Sequence, residues 1–255
     1  MSNIVFIADL FAEQLPGGGE LNNEQLIGLL RKKDLSVSEV KSINVTPTYL
    51  HGLDPSTKFI ISNFIQLSQE SIEVLQNRKT YIIYEHDHKY VKTRNPANYK
   101  HFIAPKKDIV NFDFYKNAKS VLCQSDFHSH IMRANLSFNN IKSLNGNLWS
   151  ISSLELMSHM CDLQKQSKYS IMNSNTWHKN TKGAIKLCKS KKWDYDLINY
   201  CPYTEFVSKL GKNDNFIFLP KTPETLSRIV VEARMMGMSV VSNKLVGAAN
   251  ERWFD

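Results

Sequence analysis

The chain has 255 residues, of which 42% are hydrophobic and 22% charged, a balance that fits a globular protein and excludes a disordered or fibrous one. No apolar run approaches the roughly 20 residues of a membrane span, and the start, Met-Ser-Asn-Ile-Val-Phe-Ile, lacks a basic region and cleavage site and reads as a first strand. A cytoplasmic location is expected, and the net charge of +8 admits an anionic partner.

Alternating apolar and amphipathic runs mark the elements. Residues 4–8 form a near-continuous apolar strand, and 20–33 a helix with Leu21, Ile27, Leu29 and Leu30 at its apolar positions. Strands are expected at 37–43 and 58–62, a helix at 69–77 and a strand at 81–84. A polar loop over 86–105 leads to a helix at 112–119, a strand at 120–123 and a helix at 126–136. A boundary falls within 146–168, where a polar helix at 152–166 bridges to the second half. Alternation restarts with a strand at 169–172, a lysine-rich helix, a strand at 195–198, a helix at 204–210 and a strand at 215–219. Thr222 and Pro223 read as N-cap and first-turn proline of a further helix. That puts Glu224 in its first turn and Glu232 two turns on. A strand at 239–243 and the turn Val246-Gly247-Ala248 complete the chain's pattern. This alternation indicates parallel sheets covered by helices. The expected fold class is α/β, with two Rossmann-like, doubly wound domains, 1–148 and 149–255, facing a cleft. In such sheets ligands bind beyond the carboxyl ends of the strands.

Three glycines, Gly17, Gly18 and Gly19, come after the first strand and precede Glu20. They read either as a flexible turn or as a loop whose backbone approaches a ligand at a helix start. The G-x-G-x-x-G spacing of dinucleotide sites is absent. Glu85-His86-Asp87-His88 closes the strand at 81–84; it offers no third ligand at recognisable spacing, so no metal site is expected. Cys123, Cys161, Cys188 and Cys201 likewise lack metal-like spacing and read as free thiols. Six lysines fall between Trp177 and Trp193, and Lys179, Lys182, Lys186 and Lys189 share one helical stripe. Such a stripe is first of all a solvated face, and otherwise a surface for phosphates, nucleic acid or an anionic membrane.

Glu224-x7-Glu232, continued by Ala233-Arg234-x-Met236-Gly237, Val240-Val241-x-Asn243 and Val246-Gly247-Ala248, resembles the donor-binding half of the retaining glycosyltransferases of GT-B fold known as family 4. The likeness covers the last forty residues well and the rest loosely. Gly17-Gly18-Gly19-Glu20 is similar to the Gly-Gly-x-Glu loop after that family's first strand. The resemblance implies Gly18 and Gly19 near the donor phosphates and Glu20 on the acceptor side. It gives His86 an orienting bond to the sugar, with Asp87 second and His88 third. Lys182-Gly183 matches a lysine that neutralises the leaving diphosphate. The family's arginine after the preceding strand is missing: Ser174, Asn175 and Thr176 stand there, and Lys179 is the nearest cation. By the same resemblance Glu224 contacts the sugar hydroxyls, the amides of Thr225 and Leu226 hold the diphosphate, and Glu232 holds the ribose. The resemblance thus implies a metal-independent, retaining transferase that needs no cofactor and takes a nucleotide-sugar as substrate. The acceptor stays open, with a modified DNA base and a glycan among the candidates. A non-catalytic nucleotide- or nucleic-acid-binding protein on a degenerate transferase scaffold is the alternative. The missing arginine and the early end at Asp255 favour it; the retained glutamates and glycine loop oppose it.

Overall fold

The computed structural model describes residues 3–254. The chain divides into two compact units, Met1–Leu148 and Trp149–Asp255, each built on its own parallel sheet.

The first unit has six strands, β1 (Asn3–Ala8), β2 (Ser36–Lys41), β3 (Lys58–Ile61), β4 (Tyr81–Glu85), β5 (Val121–Cys123) and β6 (Ile141–Ser143). They lie side by side in the order β2-β1-β3-β4-β5-β6. Its helices are α1 (Gly18–Arg31), α2 (Pro47–His51), α3 (Gln69–Arg78), α4 (Phe112–Asn117) and α5 (Asp126–Leu136). The near-continuous apolar reading of β1 reflects burial on both faces. Val5 and Ile7 enter one core with Phe59, Ile61 and Tyr81, whereas Ile4 and Phe6 enter the other with Ile27, Val37 and Ile60.

The second unit has four strands, β7 (Gln166–Met172), β8 (Tyr195–Ile198), β9 (Asn213–Phe218) and β10 (Ser239–Ser242), in the order β10-β9-β7-β8. Its helices are α6 (Ile151–Asp162), α7 (Thr181–Lys191), α8 (Tyr203–Leu210) and α9 (Arg228–Met235). Phe216 and Phe218 face a core with Val230, Val231 and Met236, and Ile217 faces a second with Ile171, Ala184 and Cys188.

Several boundaries differ from the sequence expectation. The helix α2 and the strand β6 are additional: Thr46 caps α2 by accepting the Tyr49 amide at 3.1 Å, a Thr-Pro signal like the one read at 222–223. The bridging helix stops at Asp162, and β7 begins at Gln166. The largest correction concerns Glu224. No helix starts at Thr222; α9 starts at Arg228. Instead Glu224 pairs in parallel with Val246, its amide donating to the Leu245 carbonyl (2.8 Å) and its carbonyl accepting from the Gly247 amide (3.0 Å). Leu226 then drops into the core with no exposure, and Ser227 turns the chain at φ 71° into α9. Backbone pairing with the glycine turn and burial of Leu226 together outweigh the capping signal. The amides of Thr225 and Leu226 therefore belong to the bend between the Glu224 bridge and α9, not to the first turn of a helix.

In each sheet the strand order reverses at one point. In the first unit it lies between β1 and β3, and in the second between β7 and β9. The carboxyl ends of such a pair are the usual ligand position in open α/β sheets.

Candidate functional site

In the first unit the loops after β1, β3, β4 and β5 bring the expected residues together. Gly19, in the first turn of α1, lies under His86: a Cβ there would stand 3.4 Å from the His86 Cβ and Cγ. A Cβ on Gly17 would fall on the Glu20 carboxylate, so the glycines allow two side chains to close over the backbone. Gly18 is exposed. Glu20 is half-buried and accepts a bond from Asn63 Nδ2 at 3.4 Å. Burial raises its pKa, and the nearby Lys89 charge opposes that rise.

Both ring nitrogens of His86 are engaged. Nε2 lies 2.7 Å from Asn23 Oδ1, while the Asn23 amide nitrogen donates to Ser62 Oγ at 2.8 Å. Asn23 thus offers only its oxygen to the ring, so His86 carries its proton on Nε2, and Nδ1 accepts from Gln124 Nε2. Asp87 is held by Arg94, whose Nε donates at 2.6 Å. Burial works against the Asp87 charge, but Lys89 and Arg94 keep its pKa below the ordinary value.

Beneath these residues Lys89 and Glu85 form an ion pair with no exposure of either side chain. Lys89 Nζ also reaches Asn63 Oδ1 at 3.3 Å, and Tyr115 donates its hydroxyl to the second Glu85 oxygen. Asn63 therefore gives its oxygen to Lys89 and its nitrogen to Glu20. Sequence reasoning missed Asn23, Asn63, Lys89 and Gln124. The signal available was Glu85 and Lys89 four residues apart at the end of a buried strand.

Three histidines in this unit are held neutral by burial. The pKa of His86 is pushed down to about 3, that of His88 to about 4, and that of His128 well below its ordinary value. His88 Nε2 is buried without a hydrogen-bond partner among the described residues, so a proton there would have no acceptor. His128 lies beside His88, ring centroids 5.0 Å apart, and spends its Nε2–H on the Asp87 carbonyl at 3.0 Å. Unfolded histidines titrate near 6.5, so between pH 6.5 and about 4 the unfolded chain binds more protons and stability falls as pH falls. His88 and His128 should each remove about 1.4 kcal/mol per pH unit in that window; His86, partly exposed, removes less. Urea midpoints at pH 7.5 and 5 test this, with a sharp drop expected. Equal midpoints would show that these rings are protonated in the native state.

In the second unit the loops after β7 and β9 meet at the sheet's reversal point. Lys179, closing the turn Trp177–Lys179 before α7, donates to both Glu224 oxygens at 2.9 and 3.0 Å. Its ammonium also lies 5.6 Å from the Phe218 ring centre. Asn180 adopts φ 57° and donates to the Leu219 carbonyl at 2.8 Å, tying the two loops. Gly183 is required by that fold, since a Cβ there would meet the Asn180 side chain at 2.5–2.7 Å. Lys182 projects exposed from the first turn of α7.

Glu232 lies in a different setting. It is 3% exposed, and Oε1 accepts from Trp149 Nε1 (3.0 Å) and Tyr203 Oη (2.7 Å), with Arg228 Nε 2.9 Å away. Arg228 stacks on Trp149 at 4.5 Å. Burial and the Glu232 charge push the Tyr203 pKa up to about 12. Trp149, Tyr203 and Arg228 were not anticipated; Trp149 and Tyr203 lie far away in sequence, whereas Arg228 stands four residues before Glu232 on α9 and was the signal available. Among the described residues no group of three or more His, Cys, Asp or Glu side chains is arranged to hold a metal ion. Among the described residues no helix is long and apolar enough to cross a membrane.

No protein-family model and no curated protein matches the sequence. Solved structures do. Anabaena HepE in complex with UDP and glucose superposes with a TM-score of 0.55 at 13% identity, over 98% of this chain and 82% of that one. An alpha-glucosyltransferase in complex with UDP and a 13-mer DNA containing a HMU base gives 0.56 at 12% identity, over 100% and 84%. An alpha,alpha-trehalose-phosphate synthase (UDP-forming) from Burkholderia vietnamiensis gives 0.65 at 6% identity, over 97% and 86%. The fold is that of the GT-B glycosyltransferases. The glycine loop and His86 lie at the carboxyl edge of the first sheet, and Lys179 and Glu224 at the carboxyl edge of the second.

Proposed function

We propose that this chain is a retaining, metal-independent glycosyltransferase of the family-4 type, acting in the cytoplasm on a uridine diphosphate sugar. The observation that carries this reading is the Lys179–Glu224 pair at the β7/β9 reversal point. It stands on a fold shared with proteins solved with UDP or UDP-glucose. Glu224 accepts hydrogen bonds from the donor sugar's hydroxyls, and Lys179 fixes the orientation of its carboxylate. Lys182 neutralises charge building on the diphosphate, as a preorganised cation aimed at a leaving group does. Gly18, which is exposed, allows close approach to the phosphates, Gly19 seats the His86 ring, and Glu20 and Asp87 face the acceptor. The acceptor oxygen bonds to the anomeric carbon on the face from which the diphosphate departs, and its proton passes to the diphosphate. His86 shapes the sugar site as an oriented neutral ring; with both nitrogens engaged it takes no proton. For the acceptor, the charge of +8 and the likeness to a transferase solved with DNA support a modified DNA base ahead of a glycan.

Thermal unfolding with UDP, UDP-glucose, GDP and ADP tests the donor. Stabilisation by UDP of about 2.7 kcal/mol is expected at a hundred times the dissociation constant. Lys182→Ala, exposed and so neutral to folding, should weaken that response tenfold or more in concentration. Glu232 is a poor control because its burial makes its loss a folding defect. No response to any nucleotide would turn the assignment towards a non-catalytic binding protein.

A further inference from the structure

The segment between β4 and α4 is a long excursion that leaves directly from His86 and Asp87, and its charge is one-sided. Residues 92–107 contain Lys92, Arg94, Lys100, Lys106 and Lys107 and no acidic residue. Arg94 is committed to Asp87. The four lysines are exposed and form no ion pair or side-chain hydrogen bond among the described residues. The nearest acid in the run, Asp108, accepts from the Tyr99 hydroxyl at 3.1 Å.

The excursion is fastened at both ends and in the middle. At its neck Val91 bridges Ile109, the Lys92 amide donates to the Asp108 carbonyl at 2.9 Å, and the Val110 amide donates to the Tyr90 carbonyl at 2.8 Å. This pairing sets Lys92 beside the turn that carries Lys106 and Lys107. Further out, Asn135 of α5 accepts from the Ala104 amide and donates to the Phe102 carbonyl, both at 2.8 Å. Between these anchors His101 and Phe102 hold φ 56° and 63°, two consecutive left-handed residues without a glycine. Such conformations persist only where the surroundings impose them, and they concentrate at functional positions. Here the turn leaves Lys100, His101 and the half-exposed Ile103 outward while Phe102 packs on Phe127.

We propose that this excursion is a phosphate-backbone contact surface for a nucleic acid, presenting Lys92, Lys100, Lys106 and Lys107 to successive phosphates and holding the strand at the mouth of the His86–Glu20 site. The inference rests on the transferase reading and identifies where its acceptor is held. Separate fixed lysines along a pinned loop match a repeating phosphodiester, in which each contact releases a counterion and contacts are position-holding rather than sequence-reading.

The test uses the full chain and a fluorescein-labelled 20-base-pair DNA duplex, with anisotropy read from 50 to 300 mM NaCl. Affinity should fall steeply with salt. Replacing all four lysines with Ala should make the log–log slope shallower by about 3–4, at roughly 0.9 per phosphate contact. Lys186→Ala with Lys189→Ala, removing two of the α7 cations, should leave the slope unchanged. Binding that ignores salt, or an equal loss from the α7 pair, overturns the proposal, as does tighter binding to phosphatidylserine vesicles than to DNA. UDP stabilisation, measured on the same quadruple variant, should be retained. If UDP fails on every protein while the lysine-dependent slope holds, the transferase reading falls and this surface stands.

Discussion

Replacing Lys89 with Met is expected to lower the unfolding free energy by about 3–5 kcal/mol at neutral pH, the usual cost of removing one partner from a buried ion pair. Lys89 and Glu85 are both without exposed side-chain surface, and the ammonium also bonds Asn63 and lies 5.5 Å from the Phe64 ring centre. Methionine fills the stem but leaves Glu85 charged in a medium that cannot solvate it. Burial already raises the Glu85 pKa against the pull of Lys89. Without the cation that rise grows. A carboxyl whose folded pKa is raised contributes stability below its unfolded pKa and loses it as pH increases, so the deficit of Lys89→Met should shrink towards pH 5. Lys89→Met with Glu85→Gln removes both charges together and should recover most of the loss at pH 7. Urea unfolding of the single and double variants, at pH 7 and 5, gives the comparison. A single variant within 1 kcal/mol of the parent would mean that water reaches this pair. Glu20 should respond too, because the Lys89 charge opposes the rise that burial gives its pKa, and without that charge the rise grows.

The strands were legible because the sheets are buried on both faces. Ile4 to Ala8 has no polar alternation to hide it, and β3, β4 and β9 read equally well. The short β6 was not, since three residues with Lys142 exposed carry too little pattern. The second-unit site shows where local reasoning stops. Thr222-Pro223 is a sound helix start by chemistry, yet Glu224 pairs with Val246, twenty-two positions later. That pairing is non-local, and no propensity reports it. Glu232 illustrates the same limit from the other side. Its spacing from Glu224 and from Arg228, one helical turn earlier, was visible, but Trp149 and Tyr203, which also bond its carboxylate, converge on it only in three dimensions. The glycine loop was the reverse case. Gly19 and His86 stand out separately by motif, and the structure packs one on the other for a steric reason, the absence of a Cβ.

Glu224→Ala is expected to reduce transfer by a factor on the order of 10²–10³, the scale seen when a single charge-stabilising group is removed from a preorganised site. Folding should be nearly untouched. The segment's geometry is set by backbone bonds from the Glu224 amide and carbonyl to the glycine turn, which alanine keeps. The lost ion pair is partly solvated, with 29% and 14% of the two side chains exposed, so it is worth at most about 1 kcal/mol. The acceptor need not be known to run the experiment, because slow hydrolysis of UDP-glucose, with water as acceptor, reports the same bond cleavage. Affinity supplies the decisive split. UDP should bind the variant as it binds the parent, whereas any extra affinity of UDP-glucose over UDP should disappear with the carboxylate we propose for the sugar. Lys179→Met leaves that carboxylate in place but frees it to rotate, so its effect should be smaller and fall on turnover more than on binding. Undiminished hydrolysis by Glu224→Ala would place the sugar elsewhere. It would leave the Lys179–Glu224 pair as a brace between two loops and nothing more.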